Sequence, residues 1–421
     1  MSQPPSPAPQ GGVPVRSSGL PQWPVLRKKQ TFVVPIVAIV VGVLVMAIAL
    51  LATLVTTPIN GLLGLLLSGG AAIVLILLLT WLDRWEPEPP HLLLAAFFWG
   101  GGVSLVIVLL VSPLLQVIGG DGEFFAAAIS APLVEESAKG LFLLVALLAT
   151  RRGRAEFNSL TDALVYAGFI GVGFSFVEHM LYIAQNETFG ESVAVGVLRI
   201  GLTAWMHSIY TAMTAIGLWL GVTSRGTMRF VYPVLGWSVA VLLHFMQNGS
   251  IFLGIGGFFG YVLLVELPAF IALVVLAVRS YRREGEVVRE QLPALVHNGW
   301  VTPLEADWLG NVPSRKRALA FARTQGKQEL RRVAAFRDHV TELAHVRHRL
   351  DRTGPPFSPD LVRQHDHLVE LLQADKLWVA QHLQPAPQHW QRTPVAPPAW
   401  QTAHPMPDDD PPIDPDATRL R

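Results

Sequence analysis

Residues 31–55 read TFVVPIVAIVVGVLVMAIALLATLV, twenty-five consecutive positions without a charged side chain. A helix needs about 20 apolar residues to cross the hydrocarbon of a bilayer, so this run alone excludes a wholly soluble globular protein. Seven more predominantly apolar runs follow at 61–82, 92–117, 124–149, 160–184, 195–222, 231–250 and 257–279. The expected fold is all-α. A polytopic membrane bundle of about eight transmembrane helices spans residues 31–279, and a cytoplasmic helical region follows at 283–383.

Composition agrees with that division. Of the 421 residues, 51% are hydrophobic and 15% charged, where about 25% charged is usual for soluble domains. The net charge of +1 gives no reason to expect a nucleic-acid partner. With no cysteine, disulfides, thiolate metal sites and a cysteine nucleophile are excluded. Residues 1–30 and 384–421 are rich in proline and polar residues and are expected to be disordered, the latter with an acidic patch at Asp408, Asp409 and Asp410. The first apolar run has no signal-peptide cleavage pattern before it and reads as a retained span.

The connections between runs fall into two sets. One carries Arg27, Lys28 and Lys29; Arg84; Arg151, Arg152 and Arg154; Arg225 and Arg229; and Arg279, Arg282 and Arg283. The alternate set contains no Lys or Arg. By the positive-inside rule both termini of this multi-pass protein of the cell membrane are cytoplasmic. The segment Asp83-Arg84-Trp85-Glu86-Pro87-Glu88-Pro89-Pro90 then forms a stiff cytoplasmic turn with an interfacial tryptophan.

Ionisable residues inside spans are costly and mark candidate sites. The fourth span carries Glu135, Glu136 and Lys139, spaced so that one ammonium reaches either carboxylate. Lys139 can neutralise one of them, and the other is left for acid–base work. The fifth carries Glu178 and His179, about 100° apart on a helix. One of them faces the site, with Glu178 favoured, after a Gly168, Gly171 and Gly173 stretch that permits close packing. The sixth has His207 on a stripe with Thr203, Thr211 and Thr214, and the seventh has His244 and Asn248 on one face beside Gln247. At about 1.5 Å per residue, these groups lie roughly 9–18 Å from the outer ends of their spans. That agreement predicts one buried polar site reachable by water from outside.

Three chemistries suit such a site. A carboxylate can activate water for peptide hydrolysis with His and Asn stabilising the oxyanion. Two His and a Glu can hold a catalytic Zn²⁺, and Glu178, His207 and His244 are the candidate ligands. A Glu and His chain can also relay protons in a transporter. No inverted repeat or pair of broken helices favours the last.

Glu135-Glu136-x-x-Lys139, Phe174-x-x-x-Glu178, His207 and His244-x-x-x-Asn248, in this order on consecutive spans, resemble the PrsW family of bacterial intramembrane proteases. That family is related to the CAAX prenyl endopeptidases. The Asp83–Pro90 turn and the stretch from Asp162 to Phe174 are similar too. The resemblance covers roughly residues 60–250 and implies site-1 cleavage of a membrane-anchored substrate, such as an anti-sigma factor, on the outer side. It implies catalytic roles for Glu135, Glu136, Glu178, His207, His244 and Asn248, with Glu136 polarising water and Asn248 assisting the oxyanion. The family includes enzymes described as metalloproteases, and relatives are described as metal-free glutamate proteases, so zinc stays open. His179 stands where the family leads one to expect Asn. A noncatalytic membrane adaptor using the same cluster is the remaining alternative.

Residues 283–383 read as amphipathic helices, including Lys327–Leu350 and Pro359–Leu383, with breaks at Pro303, Pro313 and Gly354-Pro355-Pro356. His339, His345, His348, His365 and His367 share no single helical face, so a solvated Arg/His-rich surface is expected there. This region reads as a regulatory or interaction module whose partner the sequence does not name.

Overall fold

The computed structural model describes residues 33–120, 122–149, 157, 159–353 and 359–382. The disorder expected at both ends, the Arg27–Lys29 and Asp408–Asp410 clusters, Arg151, Arg152 and Arg154, and the Gly354–Pro356 break lie outside the described residues. Among the described residues there are twelve helices and no strand. Seven are long and apolar enough to cross a membrane: α1 (Val33–Thr56), α2 (Pro58–Leu82), α3 (Pro90–Gly119), α5 (Leu160–Ala184), α6 (Phe189–Thr223), α7 (Met228–Ile251) and α8 (Gly254–His297). The remaining expected span, α4 at 123–149, carries Glu135, Glu136 and Lys139 and packs against α3, α6 and α7. The protein is an all-α polytopic membrane bundle.

Helix α5 sits at the centre, nearly all of it buried. A capping box at Ser159 and Asp162 starts it, satisfying amide donors that the first turn leaves free. Its glycines then let neighbours approach backbone to backbone. A Cβ on Gly173 would stand 2.0 Å from the Phe97 carbonyl oxygen, and one on Gly171 would stand 2.4 Å from Ser208 Cα. By contrast, α1 and α2 present Val40, Leu44, Ile48, Leu66 and Leu77 outward, as lipid-facing helices do.

Four spans contain a π-helical turn, at Trp99–Val103 in α3, Phe125–Ser130 in α4, Arg199–Thr203 in α6 and Val262–Glu266 in α8. Such turns insert a residue into the helical ladder and turn side chains to new directions. Two of them place Arg199 and Glu266.

Helix α8 does not end near residue 279. It runs on to His297 because Val288, Leu292 and Leu295 are buried in a second core. That core is completed by α9 (Pro303–Leu309), α10 (Val312–Gln325), α11 (Lys327–Thr353) and α12 (Pro359–His382). Trp85 is not an interfacial residue. It is 4% exposed within this second core, where the Arg315 guanidinium lies 4.7 Å over its ring. The expected solvated Arg/His surface is also only partly present. Arg347 is fully buried, its Nε donating to Gln291 Oε1 at 3.2 Å and its guanidinium stacked on Trp300. His365 is buried against the same Trp300 ring.

Candidate active site

Four spans bring their ionisable side chains into one buried cluster. Glu135, Glu136 and Lys139 come from α4, Glu178 and His179 from α5, His207 from α6 and His244 from α7. Lys139, fully buried, donates from Nζ to Glu136 Oε1 at 2.7 Å and to His207 Nδ1 at 2.9 Å, and sits 3.7 Å from Glu135 Oε2. It also lies 4.1 Å over the Phe174 ring. A single ammonium thus bridges two carboxylates and an imidazole.

An ammonium only donates, so His207 Nδ1 accepts and its Nε2–H points to Glu178 Oε2, 2.5 Å away. Glu178 Oε1 in turn accepts from Arg199 Nη2 at 3.0 Å. Arg199 was not singled out from the sequence, although a lone arginine in an apolar run is the kind of signal that marks a site. Glu178 is therefore the inward member of its pair. His179 is buried behind it, accepting from Arg199 Nε at 3.0 Å.

His244 Nδ1 lies 2.9 Å from Glu136 Oε1, which leaves its Nε2 facing Glu135 Oε2 at 3.9 Å. With the proton on Nδ1, those two atoms are both acceptors, an arrangement that takes the hydrogens of a water or a shared cation. Tyr210, another residue the sequence reading passed over, stacks on His244 at 5.0 Å and donates its hydroxyl to Glu266 Oε2 at 3.1 Å. Asn248 lies one turn beyond His244 and spends one amide hydrogen on the Ala127 carbonyl in the α4 π-turn, at 2.8 Å.

For a metal, the groups that close together are Glu135, Glu136, His207 and His244, one ligand atom from each lying within 4.8 Å of the others. Glu178, a candidate from the sequence, is occupied by His207 and Arg199 instead. Two imidazoles and two carboxylates suit Zn²⁺, and Glu135 Oε2 and Glu136 Oε2 are buried without a hydrogen-bond partner. The donor set therefore fits a divalent ion in type. Glu136 Oε1 and His207 Nδ1 are held by Lys139, so such an ion competes with that ammonium.

Residues 88–277, which hold every member of this cluster, match the PrsW family of intramembrane metalloproteases. Among curated proteins the chain is similar to the protease PrsW of Clostridioides difficile, 27% identical over 157 residues that cover 37% of this chain and 58% of that protein. The Bacillus subtilis protease PrsW is 27% identical over 38% of this chain and 70% of its own length. No solved structure matches.

Proposed function

We infer that this chain, a member of the PrsW family through residues 88–277, is an intramembrane endopeptidase that hydrolyses peptide bonds of membrane-anchored proteins. The observation that carries this reading is the convergence of Glu135, Glu136, His207 and His244 around Lys139 inside the bundle. Buried charge of this density is costly to maintain, and its free acceptors face one another as hydrolysis requires.

Glu136 has no exposed surface, and its Oε1 takes both Lys139 and His244. We assign it to anchoring the cluster. Glu135 retains 11% side-chain exposure and an Oε2 that no hydrogen bond occupies, so it is the better placed to take a proton from water as general base. His244 Nε2 orients that water, and Glu135 later returns the proton it has taken to the leaving amine. Asn248, with its second amide hydrogen, and Lys139 stabilise the oxyanion. If a divalent metal such as zinc is bound, Glu135, Glu136, His207 and His244 hold it, and it supplies Lewis-acid activation of water.

In this reading the positive-inside rule gives both termini to the cytoplasm, and the cleavage is a site-1 cut on the outer side. A single-span protein such as an anti-sigma factor is the substrate type, and residues 283–383 act as the regulatory module. The test is cleavage of a single-span substrate by purified protein in liposomes. Glu135→Gln and His244→Ala are expected to lose at least roughly 100-fold in rate, and parallel reactions with a chelator separate a metal-dependent enzyme from a metal-free one. Equal behaviour of wild type and both variants on several substrates, or proton flux in the same liposomes, would sink this reading.

A further inference from the structure

Between the membrane bundle and the second core lies a cavity of about 550 Å³. It sits where the apolar spans stop, at the end of α2 and the start of α3. One wall is apolar, formed by Ile76, Leu93, Leu94 and Phe169 from the bundle and Leu319 from α10. Leu94 is 50% exposed, so this wall continues onto the lipid-facing surface.

The lining also carries the cations Arg84, Arg315, Lys316 and Arg337, of which Arg337 is paired with Asp338 at 2.6 Å. Its acidic neighbours are already engaged. Glu88 accepts the Tyr166 hydroxyl at 2.6 Å, and Asp83 accepts the Glu88 amide at 2.9 Å. Burial above all pushes the Asp83 carboxyl up to about 8, so it is largely protonated near neutral pH.

Arg315 is the informative member. It is 2% exposed, donating from Nε to the Leu309 carbonyl at 2.7 Å and from Nη1 to the Trp85 carbonyl at 2.9 Å. Its Nη2 has no hydrogen-bond partner among the described residues. Burial first, and then the Arg337 charge, push its pKa down to about 9. The Asp338 and Glu86 carboxylates offset part of that charge, but Asp338 is held by Arg337 at 2.6 Å, so the idle donor of this buried guanidinium has no hydrogen-bonded anion of its own. Arg84 and Lys316 form no ion pair among the described residues.

We propose that this cavity binds an anionic phospholipid, its phosphate held by Arg84, Arg315 and Lys316 and an acyl chain lying along Ile76 and Leu94. A soluble phosphate shares the headgroup chemistry but leaves the apolar wall unused. The lipid bridges the α2–α3 turn to α10 and so joins the two cores.

The experiment is thermal unfolding of the full chain in detergent, with phosphatidylglycerol, phosphatidylcholine or glycerol 3-phosphate added. Phosphatidylglycerol is expected to raise Tm by about 5 °C, and the other two to leave it unchanged. Because Arg315→Gln also breaks two bonds that hold the fold, the test rests on Arg84→Gln combined with Lys316→Gln. That pair is expected to lose most of the shift, while Arg225→Gln combined with Arg229→Gln, an equal loss of charge away from the cavity, keeps it. The proposal is overturned if glycerol 3-phosphate matches the lipid, if the cavity pair keeps the shift, or if the control pair loses it equally.

Discussion

Lys139 holds Glu136 and His207 directly and lies beside Glu135, so its removal leaves buried carboxylates without a counter-charge. Lys139→Ala is expected to destabilise the bundle by about 3–5 kcal/mol, read as a large fall in Tm. Because the same change frees His207 Nδ1 and removes one of the two partners of Glu136 Oε1, added Zn²⁺ is expected to restore part of the loss, and an unchanged Tm with and without Zn²⁺ would refute the competition between lysine and metal. Glu135, Glu136, His207 and His244 were legible in the sequence because a charge in an apolar run stands out against its surroundings. Which atoms meet was not, because helical spacing gives a face and not a rotamer. The choice of Glu135 over Glu136 as base rests on exposure, and exposure depends on all the neighbouring helices. Arg199 and Glu266 carried the same sequence signal as the others, but Tyr210 gave none, since a tyrosine in an apolar helix is unremarkable until its ring lies on His244.

At the scale of elements, the eight spans could be read from hydropathy, because crossing a bilayer imposes length and composition directly. The π-turns could not, since a single inserted residue leaves no mark on apolar periodicity. The glycine contacts make a sharp prediction about how the spans pack. Gly173→Ala puts a Cβ 2.0 Å from the Phe97 carbonyl oxygen, so it is expected to reduce folded, monodisperse protein severely. Gly260→Ala, where nothing lies within 4 Å, is expected to be neutral or mildly stabilising by about 0.5–1 kcal/mol. Size-exclusion profiles of the two variants check this, and equal yields would show that the backbones can part without cost. Helix α8 was bounded too early because its apolar run does end near residue 279, while its continuation is held by an amphipathic face that matches α11, a tertiary match that hydropathy does not report.

For the whole molecule, the Asp83–Pro90 turn joins two cores, which explains why Trp85 is buried and why the turn reads only as a stiff loop in isolation. Trp85→Ala is expected to loosen residues 283–353 to limited proteolysis while the membrane bundle stays intact, and an unchanged digestion pattern would argue against docking. The same junction carries a pH dependence. Asp83 has a folded value of about 8 against 3.8 for the free group, chiefly through burial, so its contribution to stability is full below about pH 4 and is lost as pH rises through 8. Asp83→Asn is expected to unfold less steeply with pH between 6 and 9 than wild type, and parallel thermal curves would contradict that. Helix α8 belongs to both cores. Glu266 near one end bonds Tyr210, which stacks on His244, and Leu295 near the other is buried beneath α11. About 44 Å of helix separates them, so α8 works as a drive shaft: a twist applied at the second core is expected to reach the imidazole inside the bundle without any diffusing messenger.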